Sequence, residues 1–204
     1  SYREPKKDAD PNGGVDVLPG TYKIVAHWGD IKDSTMVEVK IDPNLEVTTA
    51  DMKARRQAIK DYEKLTEKAA NSFDQLKQAK KTIKLVESQL VNAPDSIQKE
   101  VKEMGETINI QLDSLMKLYM QPRGLKGIQR APNNLTGKLY AGFNYLRRSA
   151  GAPSQNAQNA VNNFENAMKE VHKGVNVFFE KDWKNYQEVV EKLKYSLFEE
   201  VEKF

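Results

Sequence analysis

The chain contains no cysteine among its 204 residues and only two histidines, His27 and His172. The missing thiols exclude disulfide bonds, thiolate zinc sites, iron–sulfur clusters and cysteine nucleophiles. The two histidines are too far apart in sequence to form a paired metal motif on one helix face. We therefore predict that each histidine is a structural residue, satisfied by neighbouring groups or by solvent.

Long apolar runs and an excess of one charge are missing as well. No stretch of 18 apolar residues occurs, so the sequence predicts no membrane span. The 32 basic and 29 acidic residues are interspersed, with a net charge of +3, whereas nucleic-acid-binding proteins concentrate positive charge in a patch or arm. We interpret the short basic clusters Lys77–Lys81 and Arg147-Arg148 as solvated helix faces and expect no nucleic-acid partner.

The motifs of common catalytic chemistry are also missing. The sequence has no Gly-x-Ser-x-Gly, no P-loop and no Gly-x-Gly-x-x-Gly. Glu199 and Glu200 are sequence neighbours on different sides of a helix, so they cannot face each other across a sugar as a glycosidase pair does. We predict no catalytic residue, no cofactor-binding residue, no metal ligand and no cofactor, and hence no enzymatic activity in this chain alone.

The first 14 residues are polar and rich in turn formers. They lack the apolar core of a signal peptide, and we interpret them as an irregular lead-in. The abrupt polar opening leads us to expect that the chain is a segment of a longer protein.

An alternating pattern follows and predicts a β-hairpin. Tyr22, Ile24 and Ala26 alternate with more polar neighbours, and a second β-prone run ends near Ile41, with residues 29–33 as the expected connection. A lone hairpin is marginally stable in water, so it must pack against the helices, residues 15–18 or strands from upstream. Trp28 has two interpretations: a side chain packed on the first helix, which we favour, or an exposed platform for a sugar.

The rest of the sequence shows apolar residues at steps of three and four, which predicts helices. A capped start at residues 48–51 opens a long helix that Asn92-Ala93-Pro94 ends, and a second helix begins at Asp95. A short helix is expected over 138–150 and a last one after Ser154, with a bend or restart near Asp182.

These elements predict a mainly α protein, an antiparallel three- to four-helix bundle with a small N-terminal β-hairpin that is part of a β-sandwich. The heptad-like steps are typical of coiled-coil packing, with helices crossing at about 20°. We divide the chain into a hairpin segment, residues 1–45, and a bundle, residues 46–204. The basic loop Gln121–Asn134 is the longest connection among the helices, and we expect it either to cross the end of the bundle or to carry function.

Short motifs in both regions resemble one known family. Leu18-Pro19-Gly20-Thr21-Tyr22-Lys23-Ile24 precedes a strand that ends in Val39-Lys40-Ile41-Asp42-Pro43, and Gly151-Ala152-Pro153 and Asp182-Trp183 follow in the helices. Over residues 17–204 the chain resembles the C-terminal region of bacterial sortilin-like proteins with BNR or Asp-box repeats. These β-propeller proteins are often labelled glycosyl hydrolases.

The resemblance implies a β-sandwich that ends in this hairpin, followed by a helical bundle, in an exported protein that is periplasmic or extracellular. It implies no catalytic residue here, because the chain has no Asp-box of the form Ser-x-Asp-x-Gly-x-x-Trp. Asn44 also stands where the family commonly has arginine. The propeller and any glycoside hydrolase activity would belong to the parent protein outside this chain.

Three functional hypotheses follow. The first is a non-catalytic C-terminal accessory or interaction module, whose partners are the upstream domains of the same parent chain or another protein or glycan. The second is a helical scaffold that associates with itself through its long apolar stripes. The third is a carbohydrate-binding module that uses Trp28.

Overall fold

The computed structural model of the protein describes residues 17–121 and 133–193. The predicted lead-in, most of the loop Gln121–Asn134 and the end of the last apolar stripe lie outside the described residues. The elements, in chain order, are β1 (Gly20–Trp28), β2 (Ile31–Val39), α1 (Thr49–Gln89), α2 (Asp95–Tyr119), α3 (Leu135–Arg148), α4 (Gln155–Phe178), a π-helical turn (Phe179–Trp183) and α5 (Lys184–Lys192). The prediction of a mainly helical protein with a small N-terminal hairpin is confirmed.

The hairpin is antiparallel and its turn is shorter than we expected. Trp28 pairs directly with Ile31, so the turn consists of Gly29 and Asp30 alone. Gly29 has a φ of +56°, which is typical of the first central residue of a type II′ turn. The expected connection over residues 29–33 is therefore wrong, because the glycine permits a tight turn and residues 31–33 join the second strand.

The start of α1 is the capping box that the sequence predicts. The Thr48 hydroxyl accepts a hydrogen bond from the Asp51 amide at 3.1 Å, and the Asp51 carboxylate accepts one from the Thr48 amide at 3.0 Å. These reciprocal bonds satisfy two backbone donors that a helix start otherwise leaves unpaired. Hydrogen bonds from the Thr48 side chain and backbone lower the pKa of Asp51.

Two helices in succession form the antiparallel partner of α1. As residue numbers fall along α1, the residues they contact rise through α2 and then α3. The contacts that show this order are Lys80–Asp113, Ser72–Tyr119, Tyr62–Leu139 and Arg55–Leu146. Helices α2 and α3 therefore lie end to end along one side of α1, and the short helix is not a fourth parallel layer.

The last helical segment returns in the same direction as α1. Tyr62 contacts Phe164, with ring centroids 5.3 Å apart, and further along Glu87 acts electrostatically on Tyr186. The expected bend or restart near Asp182 is the π-helical turn Phe179–Trp183 between α4 and α5. The result is a long three-layer bundle whose second and third layers are each built from more than one helix.

The bundle buries a continuous apolar core drawn from every α-helix. The largest side chains with almost no exposure are Tyr62, Leu76, Ile83, Val101, Leu112, Leu146, Phe164, Val175 and Tyr186. The apolar stripes that the sequence predicts therefore pack against one another within the bundle. No hairpin residue belongs to this core among the described residues.

Gly142 has a specific packing role in α3. A Cβ atom placed on Gly142 would lie 2.3 Å from the hydroxyl oxygen of Tyr62 and 2.5 Å from its Cζ. The same hydroxyl donates a hydrogen bond to the Leu139 carbonyl at 3.0 Å. Only glycine lets this buried tyrosine reach the backbone of α3, so the close approach explains a residue that otherwise weakens a helix.

Candidate functional site

The hairpin carries several exposed large apolar side chains on its two strands. Residues that pair directly across an antiparallel hairpin place their side chains on the same face. One face therefore carries the exposed side chains Tyr22, Ile24, Trp28, Ile31 and Val37. We call these five residues the apolar hairpin face.

Trp28 is the most exposed residue of this face, at 84% exposure. The expectation that it packs on the first helix is wrong. Nine-residue strands with a tight turn place Trp28 at the tip of the hairpin, roughly 25 Å along the strand from Gly20. The first helix follows the opposite end of the hairpin in the chain, and the high exposure of Trp28 shows that no described helix covers it.

The other face of the hairpin is mixed in character. It carries Lys23, Val25 and His27 from β1, opposite Met36, Ser34 and Lys32 from β2. Glu38 on the same face forms an ion pair with Lys40 at 3.1 Å, and both side chains are largely exposed. Such a pair contributes little to stability. Val25 and Met36 are exposed on this face as well, but they stand among charged and polar side chains.

A second candidate is a polar cluster in the middle of the bundle. The hydroxyls of Ser72 and Tyr119 are 2.7 Å apart, and the ring of His172 lies 6.5 Å from that of Tyr119. The buried Nε2 atom of His172 has no hydrogen-bond partner among the described residues. Burial, and then the positive charge of Lys68, lower the pKa of His172.

The ends of the loop Gln121–Asn134 meet beside this cluster. The Thr136 hydroxyl donates to the Tyr119 carbonyl at 2.7 Å, which brings the start of α3 next to the end of α2. These flanking residues lie about halfway along α1. The loop between them lies outside the described residues, so the expectation that it crosses the end of the bundle stays a prediction.

Two buried tyrosines have strongly perturbed hydroxyls. Burial raises the pKa of Tyr62, whose hydroxyl is hydrogen-bonded to a backbone carbonyl. Burial, and then the negative charge of Glu87, raise the pKa of Tyr186 to about 12. Both side chains stay neutral at neutral pH, and their positions in the packed core assign them to structure.

The surface clefts of the bundle are lined by side chains of mixed character. A cleft of about 470 Å³ lies between the end of α1 and the start of α2, where Glu87 and Asp95 line it together with Lys99 and Lys102. No group of three or more histidine, cysteine, aspartate or glutamate residues in the described ranges could hold a metal ion. None of these features gathers groups in a recognisable catalytic arrangement, and the apolar hairpin face remains the strongest candidate.

Comparison of the chain with protein-family models, curated proteins and solved structures finds no match. The resemblance to sortilin-like proteins therefore stays a hypothesis that rests on short motifs. Among the described helices, none is long and apolar enough to cross a membrane.

Proposed function

We propose that this chain is a non-catalytic interaction module of a larger exported bacterial protein. The helical bundle is the folded base, and the hairpin is the element that binds. Its partner is a β-sheet layer supplied by upstream domains of the same parent, which packs on the apolar hairpin face and completes a β-sandwich. A glycosyl hydrolase-like β-propeller protein is the parent that the sequence motifs favour.

The observation that carries this proposal is the uncovered apolar hairpin face. Ile24, Trp28 and Ile31 are each more than half exposed, although burying such a side chain typically contributes about 1.5–3 kcal/mol. Stable two-stranded sheets need a further strand or a packed layer. The bundle does not supply that layer, so a partner outside the described residues is the simplest source.

The proposal is tested by two neighbouring substitutions in the full-length parent. Ile24→Ser lies on the apolar hairpin face, and Val25→Ser lies on the opposite face of the same strand with similar exposure. We expect Ile24→Ser to release the hairpin, so that its amides exchange hydrogen faster, whereas Val25→Ser leaves their exchange unchanged. Equal effects of the two substitutions would contradict the proposed face.

A functional test uses the activity of the parent. Hydrolysis of a panel of glycosides is compared between the full-length parent and a form that lacks residues 17–204, after both are shown to fold. Retained activity and substrate range indicate an independent interaction module. Lost activity in a folded protein indicates that the segment shapes the active site, and the loop Gln121–Asn134 becomes the region to mutate.

Carbohydrate binding is a second candidate, favoured by the exposure of Trp28. An aromatic ring at a hairpin tip can stack on a sugar, and Asp30 and Lys32 are nearby polar residues that could bind its hydroxyls. Glycan-array binding of the chain should then be lost in Trp28→Ala. Unchanged binding would end this hypothesis.

The remaining hypothesis is a helical scaffold that associates with itself, and the burial of its apolar stripes argues against it. The stripes of α1 and α4 that suggested self-association are buried within the chain, at residues such as Leu76 and Phe164. A molecular mass that rises with concentration and persists after the hairpin is deleted would revive it.

A further inference from the structure

The outer edge of β2 is open for pairing. In the described chain β1 and β2 bind only each other. Trp28 and Ile31 close a two-residue turn, so this pair is hydrogen-bonded across the hairpin. Hydrogen-bonded and non-hydrogen-bonded pairs alternate along an antiparallel ladder. The peptide groups of every second residue of β2 therefore point outward: Lys32, Ser34, Met36 and Glu38.

The side chains along this edge form a pattern that is complementary to itself. From residue 32 to residue 38 of β2, every second position reads Lys, Ser, Met, Glu. When a second copy is placed antiparallel to the first and centred on Thr35, Lys32 of each copy faces Glu38 of the other. The opposite-charge pair therefore occurs twice, as a two-fold contact requires.

We propose that two copies of this chain pair through their β2 strands, antiparallel about a two-fold axis at Thr35. The pair forms a four-stranded sheet in which both apolar hairpin faces lie on the same side. Asp33 meets Val37 of the second copy in this arrangement, which adds neither attraction nor repulsion between charges. The contact uses the edge of the hairpin and leaves its apolar face free, so it goes beyond the function proposed above.

Charge selects this register over its neighbours. The outward peptide groups meet only if the register shifts by an even number of residues. A shift by two residues in either direction separates Lys32 from Glu38, and one of these shifts also sets Lys32 against Lys40, which directly follows the strand. The ion pair of Glu38 with Lys40 is exposed in the single chain, and exchanging it costs little.

The other edge of the hairpin offers no such complementarity. By the same alternation, the outward residues of β1 are Thr21, Lys23, Val25 and His27. No acidic residue is among them, so pairing of two β1 strands gains no opposite-charge pair. The β2 edge is therefore the one that fits a second copy.

Cysteine cross-linking tests the register directly, because the chain has no cysteine of its own. Two Thr35 residues would face each other at a non-hydrogen-bonded position, with Cα atoms about 4.5 Å apart, within the range that a disulfide spans. Ile24 is the matched control, since it pairs with Thr35 across the hairpin on the same face. The 204-residue chain carrying Thr35→Cys should form a disulfide-linked dimer on mild oxidation, at least about tenfold faster than Ile24→Cys.

The charges are tested in the Thr35→Cys background. Lys32→Glu sets like charges against each other twice and should slow cross-linking by about tenfold. Glu38→Lys should do the same, and Lys32→Glu combined with Glu38→Lys should restore the rate. Circular dichroism confirms that the bundle folds in every variant.

Three results would overturn the proposal. The first is a Thr35→Cys protein that stays monomeric under oxidation at its highest soluble concentration. The second is equal cross-linking of Thr35→Cys and Ile24→Cys, which indicates random collision or use of the β1 edge. The third is a charge-swapped double variant that cross-links no faster than either single variant.

Discussion

The hairpin and the helical bundle are both amphipathic, yet the bundle buries its apolar side chains and the hairpin leaves its own exposed. In the bundle, Leu76, Ile83 and Phe164 are almost fully buried, because the helical layers cover one another. In the hairpin, Ile24 and Trp28 stay largely exposed, because two strands form a single layer. An amphipathic pattern therefore predicts which face of an element is apolar, but the number of packed layers in the chain decides whether that face is buried.

The largest expected effects come from removing one apolar side chain from each region. Phe164→Ala should lower the free energy of unfolding of the bundle by about 3–5 kcal/mol, because it leaves a cavity among buried rings. Ile24→Ala should change it by less than about 0.5 kcal/mol, because its side chain is exposed. Urea denaturation followed by helical circular dichroism measures both values.

A large effect of Ile24→Ala on helix unfolding would show that hairpin and bundle stabilise each other. Val25→Ala on the opposite face serves as the control for a general loss of strand propensity.

Somewhat smaller effects are expected from substitutions of two glycines within the bundle. Gly142→Ala should destabilise the protein by about 2–3 kcal/mol, because its methyl group collides with the Tyr62 ring. Gly174→Ala should stabilise it by up to about 1 kcal/mol, because the methyl group meets Leu115 at an ordinary 3.7 Å and alanine favours the helix. Thermal unfolding of both variants gives opposite shifts in Tm.

Destabilisation by both alanines would mean that α4 packs more tightly than the structure shows. Stabilisation by both would mean that Tyr62 does not occupy the space above Gly142.

The smallest expected effect is a pH dependence that belongs to the bundle alone. The folded-state pKa of His172 lies below its usual value of 6.5, so the unfolded chain binds a proton more readily. Stability is therefore full above pH 6.5 and falls as the pH drops below it. His172→Gln should flatten this fall. Equal slopes for the parent chain and His172→Gln, in unfolding curves from pH 7.5 to 5, would contradict this account.

Local signals in the sequence predicted most helix starts. Thr48 with Asp51, and Ser154, are side-chain caps in the structure, because capping depends on residues within one turn. The short helix starts earlier than predicted, at Leu135, because the side chain of Asn134 caps it by accepting from the Gly137 amide. A cap inside a loop of turn-forming residues was too weak a signal to find.

The features that the sequence did not predict depend on contacts between distant segments. Position 142 requires glycine because any Cβ atom there would collide with Tyr62, which is 80 residues away in the sequence. The end-to-end placement of α2 and α3 depends on which part of α1 each covers. The sequence predicted one part of the candidate surface, because alternation in the hairpin indicates an apolar face. It did not predict that Trp28 is exposed, because no local pattern shows whether the bundle covers that face.

We infer that the hairpin is not held in place by the bundle and is available to a partner. Hydrogen exchange of the 204-residue chain at low concentration tests this inference. Amides in the bundle core, such as those of Leu76 and Ile83, should exchange more slowly than hairpin amides, such as that of Thr35, by a factor on the order of a thousand. Comparable protection of hairpin and core amides would contradict the account, since it would mean that the hairpin unfolds only together with the bundle.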